Sequence, residues 1–252
     1  MTDLPIPAVI IAAGRGSRLE SLHNNRPKTL LAFDEDRRII DIILSTLHVA
    51  GVSEIIMVVG YQSDILRQAL GDGKAHGVSI TYVQNDFWEK PNGISVLAAA
   101  EAVGDRQFLL SMSDHLFESA LVKQLIEYPL NSDAAVVAVD TNIGGIHDID
   151  DAMKLRTDTK ENRTEITRME KSLIQYDSVD CGLFKGTPNL FRALDTAIQQ
   201  GRESLSQGCE ILMTQHKMFG CDITGNFWID VDTPDALREA RKRWTRRMAE
   251  SE

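Results

Sequence analysis

The sequence predicts an α/β protein in which helices cover both faces of a mostly parallel sheet. Apolar runs typical of buried strands alternate with helical segments through the first half of the 252-residue chain. The first run, 8–13, contains no turn residue, as expected for a strand that is buried on both faces. The chain contains no obvious linker, internal repeat or low-complexity segment, so one domain over 1–252 is expected, with halves of about 1–130 and 131–252.

The individual elements follow from the same patterns. In the first half, strands are expected at 8–13, 54–60, 79–83 and 107–112, and helices at 39–49, 63–70 and 92–103. Gly51 and Gly71 stand where helix C-caps are expected. In the second half, strands are expected at 134–139, 179–184 and 222–230, helices at 188–199 and 234–249, and a polar stretch at 141–160. Sheets of this kind bind ligands beyond the carboxyl ends of their strands.

Composition narrows the class of protein. A chain with 43% hydrophobic and 25% charged residues is typical of a globular protein, and its net charge of −10 argues against a nucleic-acid partner. No apolar run approaches the roughly twenty residues of a membrane span, and the N-terminus lacks a basic signal-peptide segment. The cysteines, Cys181, Cys209 and Cys221, are widely spaced, so neither a disulfide framework nor a zinc site is indicated and a cytoplasmic location is expected.

A glycine-containing loop follows the first strand. Gly14 and Gly16 would let backbone N–H groups approach phosphate oxygens, and Arg18 and Lys28 would add positive charge. The loop is not a Walker A motif, because no Gly-Lys-Ser/Thr follows the glycines. It is not a dinucleotide-binding fingerprint either, since Leu19 stands where the third glycine belongs. A plain tight turn is the structural alternative for the two glycines.

Carboxylates follow two of the predicted strands. Asp114 and Asp230 each end an apolar run, so the carboxyl edge of the sheet would bring them to one crevice. Two carboxylates with the substrate's own phosphate oxygens suit Mg²⁺. Asp114 has a helix N-cap as its alternative. Asp232, before Thr233-Pro234, is either a further metal ligand or a cap for the last helix.

The loop and its surroundings resemble a known family. VIIAAGRGSRL with the later Pro27-Lys28 resembles the signature of nucleotidyltransferases that couple a nucleoside triphosphate to a phosphorylated small molecule. NGISVLAAA, LSMSDHLF, DIDDAMKL, SVDCGLF and ITGNFWIDVDTPDAL further resemble the cytidylyltransferases that activate inositol 1-phosphate. The resemblance spans nearly the whole chain. It implies a Rossmann-like, glycosyltransferase-A-like fold with a small acceptor-binding lobe in the second half.

The resemblance also implies roles for particular residues. Arg18 and Lys28 would be catalytic, gripping the phosphates of CTP, and Asp114, Asp230 and Asp232 would hold Mg²⁺. The nucleotide would contact Ala12, Ala13, Gly14, Arg15, Gly16 and Ser17, with its base near Asn85, Asn92 and Gly93. The phosphorylated acceptor would contact Lys154, Asp180 and Asp150. A surface ion pair with Asp150 or Asp151 is the structural alternative for Lys154.

Several functional alternatives stay open. A polyol phosphate is favoured, because carboxylates accept hydrogen bonds from hydroxyl groups and 142–174 contains no aromatic residue to cage an ammonium. Phosphocholine or a phosphonate such as 2-aminoethylphosphonate is an alternative acceptor. A hexose 1-phosphate is another, although sugar-nucleotide members usually have Gly-Thr where this chain has Gly93-Ile94. A non-catalytic nucleotide-sensing domain would be expected to have lost its charged residues. The base preference and the oligomeric state, a homodimer included, stay open.

Overall fold

The computed structural model describes residues 6–19, 22, 26–161 and 163–249. Its strands are β1 (Ala8–Ala12), β2 (Glu54–Val59), β3 (Ser79–Gln84), β4 (Phe108–Met112), β5 (His115–Phe117), β6 (Ala135–Asp140), β7 (Lys154–Lys160), β8 (Arg163–Glu170), β9 (Ser178–Gly186), β10 (Met218–Asp222) and β11 (Trp228–Asp230). Its α-helices are α1 (Ile39–Val49), α2 (Ser63–Leu70), α3 (Asn92–Ala98), α4 (Ala100–Val103), α5 (Ser119–Glu127), α6 (Pro188–Gln199), α7 (Leu205–Thr214) and α8 (Pro234–Ala249).

Within these residues, nine strands form one sheet in the order β3-β2-β1-β4-β9-β6-β10-β8-β7. Strands β3, β2, β1 and β4 pair in parallel, and so do β6 and β10. Strands β8 and β9 run antiparallel to their neighbours, so seven of the nine strands point in one direction. The predicted α/β fold is confirmed.

Two apolar cores lie on opposite faces of the sheet. Strand β1 shows the division, because Ala8, Ile10 and Ala12 face one core while Val9 and Ile11 face the other. The first core is covered by α1, α2, α5 and α8, and the second by α3, α4, α6 and α7. Burial on both faces explains why β1 is apolar throughout rather than alternating.

The stretch 222–230 differs from its prediction as one strand. The chain leaves the main sheet at the end of β10, and Gly225, with φ of +97°, lies in the turn that follows. Trp228–Asp230 then pairs antiparallel with β5 in a separate two-stranded sheet, which places Asp230 opposite His115. No element is predicted for the polar stretch at 141–160, but its end forms the strand Lys154–Lys160, which pairs with Arg163–Glu170 in an antiparallel hairpin.

Four segments meet at the carboxyl edge of the central strands. The glycine loop follows β1, and Asp114 follows β4 directly. Strand β9 is antiparallel, so its first residues lie at the same edge, with Asp180 paired to Val139 near the end of β6. The β5–β11 pairing adds Asp230. The topology therefore gathers the loop and the carboxylates into one cleft.

Candidate active site

The glycine loop is shaped around Lys28. Gly16 has φ of +69°, and a Cβ placed on it would lie 2.7 Å from the Cβ of Lys28. A side chain at this position would therefore meet both backbone strain and the lysine stem. A Cβ on Gly14, by contrast, would enter open space. Pro27 precedes the short 3₁₀ helix Lys28–Leu30, and the side chain of Lys28, at the start of this helix, packs against Gly16.

Lys28, Asp114, His115 and Asp230 form a charged cluster at the base of the cleft. The ammonium of Lys28 contacts Asp114 Oδ2, and His115 Nδ1 donates a hydrogen bond to Asp114 Oδ1 at 2.8 Å. The same nitrogen lies 3.7 Å from Asp230 Oδ1. Gly182, with φ of +74°, leaves the space that the imidazole occupies, and Trp228 lies nearly parallel to the ring.

Burial and neighbouring charge set the protonation of this cluster. Burial disfavours the charged form of Asp114, but Lys28 and His115 hold the pKa of that carboxyl well below its ordinary value. Burial outweighs the attraction of His115 at Asp230, and its pKa rises to about 7. Burial lowers the pKa of His115, but the charge of Asp230 and the hydrogen bond to Asp114 raise it to about 9. The cluster thus holds several charges in little space.

The cluster has the chemistry of a divalent-cation site. Asp114, His115 and Asp230 each offer one atom that could bind a metal, and these three atoms lie within 4.8 Å of one another. Asp230 Oδ1 is buried and meets no hydrogen-bond donor among the described residues, so one carboxylate oxygen is left for a ligand. Two carboxylates at one point suit a hard cation that keeps part of its water shell. The group therefore fits a divalent metal ion.

Asp232 lies beside this cluster and is not the cap of α8. Thr233 Oγ1 accepts the hydrogen bond from the N–H of Ala236 at 3.1 Å, so Thr233 caps the helix. Asp232 is buried, and its Oδ2 lies 2.5 Å from Arg18 Nη1. Of the two expectations for Asp232, the cap is thus the wrong one, and its carboxylate faces the charged cleft.

A second charged group lies at the mouth of the cleft. Arg18 Nη1 donates to Asp151 Oδ2 at 2.6 Å, and Lys171 Nζ donates to Asp151 Oδ1 at 2.7 Å. These two hydrogen bonds lower the pKa of Asp151 to about 2, and the one from Lys171 has the larger effect. The sequence marked Asp151 only as an alternative ion-pair partner of Lys154, and it gave no signal for Lys171, because no motif marks a lysine at the end of a strand.

A cavity of about 350 Å³ joins the two charged groups. Its size is that of a small-molecule site. Its charged and polar lining includes Arg18, Asn92, Asp114, His115, His147, Asp148, Asp151, Lys171, Asp180, Ser204, Ser206, Asp230 and Asp232. Met112, Met153, Met169, Phe184, Leu205 and Trp228 supply apolar walls. The lining therefore combines several carboxylates with the cationic side chains of Arg18 and Lys171.

The predicted base-binding residues lie in different surroundings. Asn92 lines the cavity, and its Oδ1 accepts the N–H of Leu205 at 2.9 Å. Asn85 is buried, and its amide group donates to Ser95 and accepts from the N–H of Phe87. A Cβ on Gly93 would lie 2.4 Å from the carbonyl oxygen of Glu203, so this glycine permits close packing of α3 against 203–204.

The loop residues lie beside Tyr61. Ala12 and Ala13 are buried, and the carbonyl oxygen of Ala13 accepts the N–H of Tyr61 at 2.9 Å. The guanidinium of Arg15 lies 5.7 Å from the centroid of the Tyr61 ring. Ser17 is exposed at the start of the short 3₁₀ helix Ser17–Leu19. Gly14, Arg15 and Ser17 are exposed, and none of residues 12–17 lines the cavity.

The predicted acceptor residues do not all face the cavity. Asp180 does, and burial raises its pKa to about 6 although it accepts the N–H of Gly182 at 2.7 Å. Lys154 is buried, and its Nζ donates to the carbonyl oxygens of Asp150 and Lys171 at 3.1 and 2.8 Å. Among the described residues that line the cavity, neither Lys154 nor Asp150 occurs. Lys154 is thus not the surface ion pair that was its structural alternative.

Two remaining expectations concern the whole chain. All three cysteines are buried free thiols. No α-helix in the described part of the chain combines the length and apolar character needed to cross a membrane.

The fold and the cleft define a class of protein in which a glycine-containing loop adjoins paired carboxylates at the edge of an α/β sheet. The family model described as nucleotidyl transferase matches residues 7–247. The chain therefore belongs to the nucleotidyl transferase family, which confirms the predicted resemblance and the predicted enzyme class.

Curated relatives agree with this assignment. The "Bifunctional IPC transferase and DIPP synthase" of Rubrobacter xylanophilus is 30% identical over 238 residues, covering 92% of this chain and 50% of the relative. The "CMP-5'-(3-aminopropyl)phosphonate synthase" of Streptomyces rubellomurinus is 27% identical over 248 residues, covering 96% and 39%. The chain thus spans about half the length, or less, of these curated relatives.

A solved structure gives the same fold. The "inositol-1-phosphate CTP transferase from T. maritima" superposes with a TM-score of 0.81 at 22% identity, covering 94% of each chain. The predicted glycosyltransferase-A-like architecture is confirmed by this likeness.

Proposed function

We propose that the chain transfers the cytidylyl group of CTP to the phosphate of a small polyol phosphate, with inositol 1-phosphate as the first candidate. The observation that carries the proposal is the cavity beside Asp114 and Asp230, which is lined by further carboxylates and by Lys171. Carboxylates accept hydrogen bonds from hydroxyl groups, and an ammonium offsets the charge of the acceptor phosphate. The names of two relatives, an IPC transferase and an inositol-1-phosphate CTP transferase, support the same acceptor.

The chemistry is an in-line displacement at the α-phosphorus of CTP. An oxygen of the acceptor phosphate forms the new P–O bond, the bond between the α-phosphorus and its bridging oxygen breaks, and pyrophosphate leaves. The acceptor phosphate is ionised at neutral pH, so no general base is needed. The protein's part is positioning and charge neutralisation. The loop 12–17 holds the triphosphate through backbone N–H groups, and Arg18 and Lys28 face its phosphates.

Asp114 and Asp230 would hold Mg²⁺, and Asp232 would complete its surroundings. When bound, the cation supplies positive charge next to the reacting phosphate oxygens. Lys28 contacts Asp114 and so lies next to the proposed ion, where a second positive charge would face the α-phosphate.

For the acceptor phosphate we assign Lys171 rather than Lys154. Lys171 lines the cavity and is half exposed, whereas the ammonium of Lys154 is buried against backbone carbonyl oxygens. Lys154 then acts indirectly, by joining the chain at Asp150 to the chain at Lys171. Asp180 is the proposed partner of the acceptor hydroxyls, and Asn92, with Asn85 and Gly93 behind it, borders the base.

Pyrophosphate release with each of the four ribonucleoside triphosphates tests the proposal. The acceptors would be inositol 1-phosphate, glucose 1-phosphate, phosphocholine and 2-aminoethylphosphonate. We expect the fastest release with CTP and inositol 1-phosphate. Faster release with UTP and glucose 1-phosphate would replace the proposal with a hexose-1-phosphate transferase. Binding of CTP without turnover of any acceptor would indicate a nucleotide-sensing domain.

An aminoalkyl phosphonate is the second candidate acceptor. The Trp228 ring and the carboxylates of Asp148 and Asp180 line one cavity, and an aromatic face with carboxylates can hold an ammonium. One relative is named as a phosphonate CMP synthase. A kcat/KM for 2-aminoethylphosphonate above that for inositol 1-phosphate would favour this candidate.

The buried free thiols bear on location. Unpaired cysteines are usual in a reducing compartment, which supports the cytoplasm as the proposed location.

A further inference from the structure

Asp151 joins two segments that are far apart in the sequence. Each of its carboxylate oxygens accepts from a different cation, Oδ2 from Arg18 at 2.6 Å and Oδ1 from Lys171 at 2.7 Å. Arg18 belongs to the loop after β1, and Lys171 directly follows β8. One side chain therefore ties the nucleotide-binding loop to the wall of the proposed acceptor pocket.

An anion between Arg18 and Lys171 is electrostatically favourable. Two cations on neighbouring sides of a cleft repel each other, and a carboxylate between them turns that repulsion into two attractions. Asp151 carries its charge throughout the neutral range, and the two hydrogen bonds lower its pKa further, to about 2. Arg18 has a second anchor in Asp232, whereas Lys171 Nζ has Asp151 as its only carboxylate partner within the described residues.

We propose that Asp151 is a positioning residue that couples the two substrates. It holds the cation that faces the nucleotide beside the cation that faces the acceptor, so that the phosphates they bind lie next to each other at the reacting centre. This inference rests on the proposed function, because that function places the acceptor phosphate on Lys171. Asp151 itself touches neither reacting atom.

The expected effect is moderate. The side chains of Arg18, Asp151 and Lys171 are 55%, 36% and 50% exposed, and ion pairs as exposed as these contribute little singly. An effect of about fivefold on the binding of each substrate corresponds to the upper part of that range. Its signature is that one substitution weakens the binding of two different ligands.

Asp151→Asn is the central variant, since it removes the charge and keeps the shape. Asp72→Asn is its matched control, because Asp72 is an exposed carboxylate paired with Lys74 and lies on the connection between α2 and β3. Calorimetry measures the Kd for CTP without an acceptor, and steady-state kinetics measures the KM for inositol 1-phosphate. We expect both constants to rise about fivefold in Asp151→Asn, to stay unchanged in Asp72→Asn, and to recover partly in Asp151→Glu.

A double substitution separates positioning from a general loss of charge. In a protein that already carries Lys171→Ala, adding Asp151→Asn is still expected to raise the Kd for CTP. The KM for the acceptor should stay equal to that of the Lys171→Ala single variant. Tighter CTP binding in Asp151→Asn would overturn the proposal, since Asp151 would then compete with phosphate for its cations. Constants equal to those of Asp72→Asn would overturn it as well.

Failure of the proposed function would look different. If the wild-type protein turns over none of the acceptors, the function fails, and calorimetry still compares Asp151→Asn with Asp72→Asn for CTP and for inorganic phosphate. Weaker binding of both probes in Asp151→Asn but not in Asp72→Asn would support the positioning role of Asp151 between Arg18 and Lys171. Equal binding in the two variants would overturn it.

Discussion

Lys28 and Asp114 form the ion pair at the centre of the cleft. Burial alone lowers the pKa of a lysine, but the charge of Asp114 reverses the effect and raises the pKa of Lys28 above its ordinary value. The ammonium therefore stays charged next to the glycine loop. A charge that is held in place before substrate binds needs little reorganisation when negative charge develops on a phosphate.

Replacing Lys28 by Ala is expected to lower kcat about 10²- to 10³-fold, the usual cost of removing one preorganised charge. The fold should persist, because the lysine lies at the cleft rather than in either apolar core. Initial-rate kinetics measures the loss and circular dichroism checks the fold. Lys160→Ala, on the exposed end of β7, is the control. Near-normal turnover in a folded Lys28→Ala protein would contradict the role.

Lys171 and Lys154 allow a matched comparison of two lysines. Lys171→Ala should raise the KM for the acceptor and leave that for CTP less affected, since it removes a contact to one substrate. Lys154→Met should instead lower the free energy of unfolding by about 1–3 kcal/mol, because two carbonyl oxygens lose their donor. Urea unfolding and two-substrate kinetics measure the two effects. A larger acceptor defect in Lys154→Met would return the phosphate contact to Lys154.

The carboxylates should differ in their effect on the metal requirement. Asp230→Asn should raise the Mg²⁺ concentration needed for half-maximal activity more than Asp232→Asn does, because Asp230 belongs to the cluster of Asp114, His115 and Asp230 while Asp232 pairs with Arg18. Treatment with EDTA should abolish turnover, and Mg²⁺ or Mn²⁺ should restore it. Titration of activity against metal measures both effects. Full activity in EDTA would exclude the proposed metal site.

At the scale of elements, the short pairing of β5 with β11 positions the acidic cluster. Its register places Asp230 opposite His115, and His115 directly follows Asp114 in the sequence. The three-residue strand Trp228–Asp230 could not have been predicted as a separate element, since its partner lies more than a hundred residues away. The turn at 223–227 is what frees it from the main sheet.

The glycine loop gives a prediction at this scale. Gly16→Ala should lower the free energy of unfolding by about 1–2 kcal/mol, because the left-handed conformation and the stem of Lys28 both oppose a Cβ. The Kd for CTP should rise with it, because the loop can no longer hold its shape. Gly14→Ala, whose Cβ meets open space, should change stability little. Equal destabilisation of the two variants in urea would contradict the geometric argument.

At the scale of the whole molecule, a net charge of −10 would repel the polyanionic substrates that we propose. Arg18, Lys28 and Lys171 gather positive charge at one cleft, although each is balanced by a carboxylate. Two arginines of α8 stabilise the fold instead. In α8, Arg241 donates to the carbonyl oxygens of Ala32 and Phe33, and Arg247 pairs with Glu118.

Binding of CTP with Mg²⁺ should stabilise the whole chain. A ligand at 100 times its Kd adds about 2.7 kcal/mol to the free energy of unfolding, which is a rise in Tm of roughly 5–10 °C for a chain of this length. Thermal unfolding with each nucleoside triphosphate measures the rise, and CTP should give the largest. Lys28→Ala is the control, since its smaller rise ties the effect to the cleft. A larger rise with UTP would assign a different base.

Much of the molecule followed from the sequence alone. Local patterns sufficed for the buried strands, for most helices and for the glycine loop with Arg18 and Lys28, because apolar periodicity and turn chemistry depend on near neighbours. The carboxyl-edge rule then predicted that Asp114 and Asp230 meet, and the structure places both at the cleft, although Asp230 reaches it through the β5–β11 pairing rather than at the end of a main-sheet strand. The family resemblance, the α/β fold and the enzyme class are confirmed. The single domain and the individual site roles stay predictions.

Tertiary structure alone decided the rest, because it depends on contacts between distant segments. The sequence left Asp232 as either a metal ligand or a helix cap, and the hydrogen bond from the N–H of Ala236 to Thr233 Oγ1 excludes the cap. Lys154 looked like a ligand for phosphate, but the hairpin of β7 and β8 buries it and turns Lys171 into the cavity. Asp151 pairs with Arg18, which lies 133 positions away in the sequence, and with Lys171, which lies 20 positions away. A pattern read along the chain contains no information about such pairs, since only the packing of the folded sheet brings their charges together.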